Sequence, residues 1–395
     1  MLLTKMVHLL QDNLRSRISK MAKIKHPCAE FSDDVLDYSN DERTSYFINN
    51  SIILHPRLQQ AYEELKLRTI SPSSTQIYQV VGPTGSGKTT LTSRIKRMLI
   101  DQCHEEIQSS THVYPVVLFE CPAATEHKGV WKLLLKRILR EAGDHFSDSR
   151  NFHLEHQEGL SHQDMAKLLR RESTIEELSE ACKVFIKQRA VKYLIIDEAQ
   201  HIIDACDTKQ QAFNSMELLK SLANESNATI ILVGTYRLLR FGETSGQLAR
   251  RSEIIELGAY KGTCKTEMSE FADSLDALLA RYPTYFSDAI YNNINEIYVG
   301  SCGCIGLLKD WLTRTLVKTL YSKSQYVTME LLRGEQLSPR ELKTIADEIT
   351  LGLEYFHQFS ITDVEETLLG KVPLPTKNNF RQGVNRLPER DSVGA

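Results

Sequence analysis

From Gln76 onward the chain alternates short, uninterrupted apolar runs with longer stretches in which apolar residues recur every three or four positions. The runs IYQVVG, YPVVLFEC, VKYLIIDE and ATIILVG are bounded by glycine or polar residues, as strands buried on both faces require. Between them GVWKLLLKRILREAG and TIEELSEACKVFIKQ show helical spacing. Strands alternating with amphipathic helices predict a parallel sheet with crossover helices, an α/β core over residues 76–260. A further strand ends near ELGAYKGTCKTE, and from Glu267 to Tyr321 only helical spacing remains, so residues 261–353 are expected to form a small helical lid without buried strands.

Upstream, Leu3, Met6, Val7, Leu10, Leu14 and Ile18 lie at helical spacing in a basic segment, which is read as an amphipathic helix in preference to a transit peptide. After an acidic stretch, Leu58, Ala61, Tyr62 and Leu65 define a second helix that ends at the polar SPSST break. Residues 1–75 are therefore expected to be an N-terminal helical extension. Past Leu353 the chain turns to proline, asparagine, glycine and charge, and residues 354–395 are expected to form a flexible tail.

Composition narrows the partners. A net charge of -3 over 395 residues gives no global basic field, so any nucleic-acid contact has to come from a local basic surface. No run of about 18 apolar residues predicts a membrane span. The eight cysteines form no CxxC pair, which suits reduced thiols and a cytoplasmic location. His145, His153, His156 and His162 cluster in sequence, but without cysteines or a metal-ligand spacing they read as a surface insertion. No repeat is apparent.

The chemistry concentrates where the first run ends. Gly82, Pro83, Thr84, Gly85, Ser86, Gly87, Lys88 and Thr89 fit G-x-x-x-x-G-K-[ST] between a predicted strand and a predicted helix that Thr90 helps to open. Glycines allow backbone N–H groups to converge on phosphate oxygens, Lys88 neutralises the terminal phosphates, and the Thr89 hydroxyl suits Mg2+. ATP and Mg2+ are the cofactors this loop predicts. About a hundred residues later YLIIDEAQH presents Asp197, expected in the Mg2+ shell, and Glu198, expected to deprotonate the attacking water. Thr235, ending ATIILVGT, is the candidate γ-phosphate sensor, with an ordinary strand-end threonine as the alternative. Arg250 and Arg251, just before the last core strand, are candidates for an arginine finger supplied to a neighbouring subunit.

Phosphate loop, acidic strand end, polar strand end and paired arginines, in this order, resemble an AAA+ P-loop NTPase over about residues 76–320. Within that class IILHPRLQQAYEEL, VGPTGSGKTTL, DEAQHI, ILVGT and QLARR resemble the TnsC/TniB regulators of Tn7-like transposons, CRISPR-associated ones included. The resemblance implies a homo-oligomer, ring or filament, wound around double-stranded DNA. It also implies a target selector of the TniQ/TnsD type and a DDE transposase as partners. Lys128 and Lys132, in the segment after the second strand, are the candidate contacts to the DNA backbone; Lys136 and Arg137 are set aside as the solvated face of their helix. One departure is that the lid carries Lys309 where such lids commonly place an arginine over the γ phosphate.

Competing readings differ in what must follow the core. A two-motor helicase needs a second motor domain, for which too few residues are expected to follow Glu256; an origin or helicase-loading ATPase needs a winged-helix module, for which the stretch after the lid reads as too short and too polar. A signalling or defence ATPase of the STAND type, coupling nucleotide state to an effector without duplex DNA, has the same core and remains the alternative.

Overall fold

The computed structural model describes residues 26, 29–70, 76–123, 126–143, 173–244, 252–287, 289–322, 326–357 and 361–369. The chain divides into two units, Met1–Gly352 and Leu353–Ala395.

In the first unit, a short 3-10 turn precedes α1 (Asn40–Asn50), which starts at a capping box between Ser39 and Glu42. After residues 51–55 comes α2 (Pro56–Ile70), and then β1 (Ile77–Val81), α3 (Lys88–Gln102), α4 (His104–Ser109) and β2 (Val116–Glu120). The rest of the sheet region is α5 (His127–Glu141), α6 (Ile175–Gln188), β3 (Tyr193–Asp197), α7 (Gln200–Asp204), α8 (Lys209–Ser226), β4 (Thr229–Gly234), a 3-10 segment (Tyr236–Thr244) and β5 (Ser252–Glu256).

The five strands form one parallel sheet in the order β2-β3-β4-β1-β5. Burial follows that order. The central strands β1, β3 and β4 are almost wholly buried, whereas the edge strands β2 and β5 alternate or show partial exposure. The register brings Glu120 opposite Asp197, and Val81 opposite Gly234, so the chain leaves β1, β3 and β4 at one common edge. On one face, Leu58, Ala61 and Leu65 of α2 pack with Leu91, Ile95 and Leu99 of α3 over Tyr78, Val80, Ile195, Ile231 and Val233. Elsewhere, α5 buries Val130, Trp131, Leu134 and Ile138, and packs against α6.

The helical region follows as α9 (Lys265–Ala280), α10 (Ala289–Asn292), α11 (Ile294–Gly300), α12 (Ile305–Tyr321), α13 (Met329–Gly334) and α14 (Pro339–Phe356). It has its own core, in which Phe271, Leu275, Leu278, Tyr282, Trp311, Leu312 and Leu316 are fully buried. The region is not wholly helical as expected: β6 (Tyr285–Phe286) pairs in parallel with β7 (Tyr326–Val327), two residues each. Phe286 and Val327 point into the core while Tyr285 and Tyr326 are exposed, and runs that short carry no periodic signal.

The segment before the sheet divides between the two cores. Phe47 of α1 and Ile53 are buried among the helical-region side chains, with the Phe47 and Tyr282 rings edge to face at 4.9 Å, whereas α2 belongs to the sheet. In the second unit, within the stretch read as tail, Ile361–Leu369 forms a helix, α15. Residues 1–25 and the four clustered histidines lie outside the described residues.

Candidate nucleotide-binding site

The loop joining β1 to α3 is shaped by its glycines. A Cβ on Gly82 would lie 2.1 Å from the Leu257 carbonyl oxygen, so no side chain fits where the loop leaves the sheet. Gly85 and Gly87 adopt φ of 75° and 102°, the left-handed region, and Gly87 is the residue from which α3 starts. The glycine turns lead directly into the N-terminus of α3, whose first backbone N–H groups make an anion-binding arrangement.

Lys88 folds back over this turn, its Nζ donating to Gly82 O at 3.0 Å and Pro83 O at 2.8 Å. Burial pushes its pKa down, opposed by the negative charges of Glu198, Glu348 and Asp197. Ser86 is buried with an Oγ that has no hydrogen-bond partner among the described residues. A buried orphan hydroxyl, a buried ammonium and a glycine turn at a helix N-terminus fit the phosphates of a nucleotide. Thr84 and Thr89 are exposed at the loop and Thr90 is half-buried.

The carboxylates sit on the neighbouring strand end. Asp197 is buried, which raises its pKa; hydrogen bonds from the Glu198 N–H, at 3.0 Å to Oδ1, and from the Thr89 hydroxyl act the other way. Thr89 and Asp197 thus meet as one hydroxyl and one carboxylate, an oxygen donor set that fits Mg2+. Glu198 holds the left-handed φ of 51°, rare for a residue with a side chain. Its carboxylate accepts from Gln200 Nε2, and Gln200 Oε1 accepts from the Thr235 N–H at 3.2 Å. Thr235 Oγ1 accepts from the Arg237 N–H at 3.4 Å.

Gly82 to Thr90, Asp197, Glu198 and Thr235 are therefore gathered at one sheet edge. Lys128 and Lys132 lie apart from the loop on α5, Lys128 exposed and Lys132 half-buried. Arg137 is ion-paired with Glu141 at 3.0 Å. Arg250 and Arg251 lie outside the described residues. Lys309, the lid cation nearest the usual arginine position, donates from Nζ to Ile48 O at 3.1 Å. That carbonyl belongs to α1, whose packing on α12 brings it within reach. Lys309 lines a groove with His55, Gly87, Thr90 and Gly306.

Three contributors were not picked out from the sequence. Gln200 stands in DEAQH, but its partner Thr235 is 35 residues away. His55 opens α2 and contacts Tyr260, its Nδ1 lying 3.1 Å from the hydroxyl. Gly306 reaches over the loop, its N–H donating to Gly85 O at 2.8 Å, and a Cβ there would approach Gly85 O to 2.5 Å. The signals were the HPR and GCIG tripeptide and tetrapeptide, each too short to assign a contact.

A five-stranded parallel sheet with this loop after β1 and paired carboxylates after β3 is the AAA+ P-loop NTPase fold. Residues 70–241 match the family model of the AAA domain. No curated protein matches the chain. Among solved structures it is similar to the ORC2 protein of Aeropyrum pernix in ADPNP-ADP complexes, at 13% identity, 85% of this chain, 87% of that one and a TM-score of 0.44. It is also similar to the Aeropyrum pernix ORC1 protein in complex with DNA, at 13% identity, 74% and 68% coverage and a TM-score of 0.48. A RuvB variant of Thermotoga maritima matches at 17% identity, 70% and 65% coverage and a TM-score of 0.33. Among the described residues no helix is long and apolar enough to cross a membrane, and no group of three or more His, Cys, Asp or Glu residues forms a metal cluster.

Proposed function

We propose that this protein is an ATP-hydrolysing regulator of DNA transposition that oligomerises on double-stranded DNA and links a TniQ/TnsD-type target selector to a DDE transposase. The observation that carries the ATPase part is the convergence of the Gly82–Thr89 loop, Asp197, Glu198 and Thr235 at one edge of the sheet. The transposition part is supported by the sequence resemblance, in which QLARR and DEAQHI stand with the loop.

In this reading the loop N–H groups and Lys88 bind the β and γ phosphates, and Lys88 exchanges two neutral carbonyl acceptors for charged ones. Thr89 and Asp197 would hold Mg2+, which when bound supplies positive charge against the phosphate oxygens. Glu198 takes the proton from the attacking water, and Thr235 orients that water toward the γ phosphate. Arg250 or Arg251 reaches the nucleotide of a neighbouring subunit, making turnover depend on assembly. Lys128 and Lys132 contact the DNA backbone, so binding is salt-sensitive and independent of base sequence.

The test is microscopy of the purified protein with duplex DNA in ATP, a slowly hydrolysed analogue, ADP or no nucleotide, alongside phosphate release. Nucleotide-gated rings or filaments threaded by DNA are expected. Nucleotide binding with particles indifferent to DNA would overturn the transposition reading in favour of a signalling ATPase.

A further inference from the structure

Gln200 is the first residue of α7 and is buried, 6% exposed. Both ends of its carboxamide are committed. The Thr235 N–H can only donate, so it fixes the Oε1 end toward β4, and the planar amide then necessarily turns Nε2 toward the Glu198 carboxylate. Next to it the Ala199 N–H donates to Val233 O at 2.8 Å, so the two strand ends are already tied at backbone level. The side chain adds a connection from the strand carrying the sensor candidate to the carboxylate itself.

Two further features belong to this bridge. Gly234 packs directly under the amide, where a Cβ would lie 2.3 Å from Gln200 Oε1. Glu198 holds a left-handed φ, so its carboxylate is aimed by a backbone conformation that a side chain ordinarily avoids. A glutamine that merely satisfied the Thr235 N–H would need neither the carboxylate at its other end nor the strained residue that brings it there.

We propose that Gln200 is a positioning residue that sets the orientation of the Glu198 carboxylate according to where the Thr235 end of β4 lies. This rests on the ATPase reading above. A shift of the Thr235 N–H moves the whole amide, and with it the donor that holds Glu198, so γ-phosphate sensing and water activation change together. Misplacement of a catalytic group by about 1 Å is enough to matter for rate.

The test compares steady-state hydrolysis and fluorescent-nucleotide binding for wild type, Gln200→Ala, Gly234→Ala and the double variant, with Glu198→Gln as reference. Losing a hydrogen bond to a charged group predicts that kcat falls about tenfold in Gln200→Ala, while KM and nucleotide affinity stay within about twofold. Gly234→Ala is expected to lower kcat similarly, because its methyl group displaces the same carboxamide. In the double variant the 2.3 Å obstruction is gone and only Leu238 Cδ1 at 3.0 Å and the Gln200 backbone N at 3.2 Å remain to give way, so the combined loss falls short of the product of the two single losses. Should Gln200→Ala not fold, Gly234→Ala against wild type carries the comparison. Glu198→Gln losing turnover while Gln200→Ala keeps wild-type kcat, gains activity or changes only KM would overturn this inference and leave the ATPase reading standing. Multiplying effects in the double variant would overturn it too. Wild type that binds nucleotide without ever hydrolysing it would overturn both.

Discussion

His55 gives a stability prediction whose size follows from its surroundings. Burial, and secondarily the Arg57 guanidinium, hold its pKa down from 6.5 to about 4, with the ring against Tyr260. In the unfolded chain the imidazole takes a proton as the pH falls below 6.5, whereas in the folded protein it resists until about 4. Its contribution is therefore complete above pH 6.5 and is lost as the pH falls toward 4. Linkage puts the loss at about 2 kcal/mol by pH 5 and about 3 kcal/mol once both states are protonated. Other groups add to the pH dependence, among them Asp197, whose pKa burial raises, and His127, whose pKa burial lowers, so the informative quantity is a difference. Unfolding free energies from urea titrations at pH 7.5 and pH 5 should fall more steeply for wild type than for His55→Gln, by about 2 kcal/mol. Parallel pH dependences for the two proteins would refute the claim that the folded state excludes a proton from His55.

Glu198→Gln should still form nucleotide-gated assemblies on DNA but lose at least about two orders of magnitude in phosphate release, since general-base catalysis contributes about 100-fold or more; normal turnover would remove Glu198 from that role. Lys88→Ala should abolish ATP-driven assembly on DNA, measured by microscopy beside wild type. Lys128→Glu with Lys132→Glu should weaken DNA binding and flatten its dependence on salt, read from affinities at several salt concentrations; an unchanged slope would place the phosphate contacts elsewhere. Phe47→Ala, which empties a fully buried site between α1 and the helical region, should lower unfolding free energy by about 3–5 kcal/mol in denaturant titrations.

The parts of the fold legible in the sequence are those dictated locally. β1, β3 and β4 are apolar runs because both faces are covered, and the loop from Gly82 to Thr89 announces itself because phosphate geometry demands glycines at fixed spacing before Lys88. Asp197 and Glu198 were readable because a carboxylate pair after a buried strand has few structural uses. Contacts between distant segments were not readable. That Phe47 joins the helical core, that Lys309 binds Ile48 O, and that Gln200 reaches Thr235 all depend on which elements become neighbours. Helical periodicity shows that a face is buried without naming its partner, and strand order follows from no single strand.

The division of α1 and α2 between two cores means that the chain crosses from the helical region to the sheet at residues 51–55, and crosses back after β5 through Leu257 to Cys264. His55 and Tyr260 touch, one from each crossing. The two connections meet at His55 and Tyr260, and His55 also lines the groove beside Gly87, so a substitution at that one contact acts on both cores and on the edge of the loop at once.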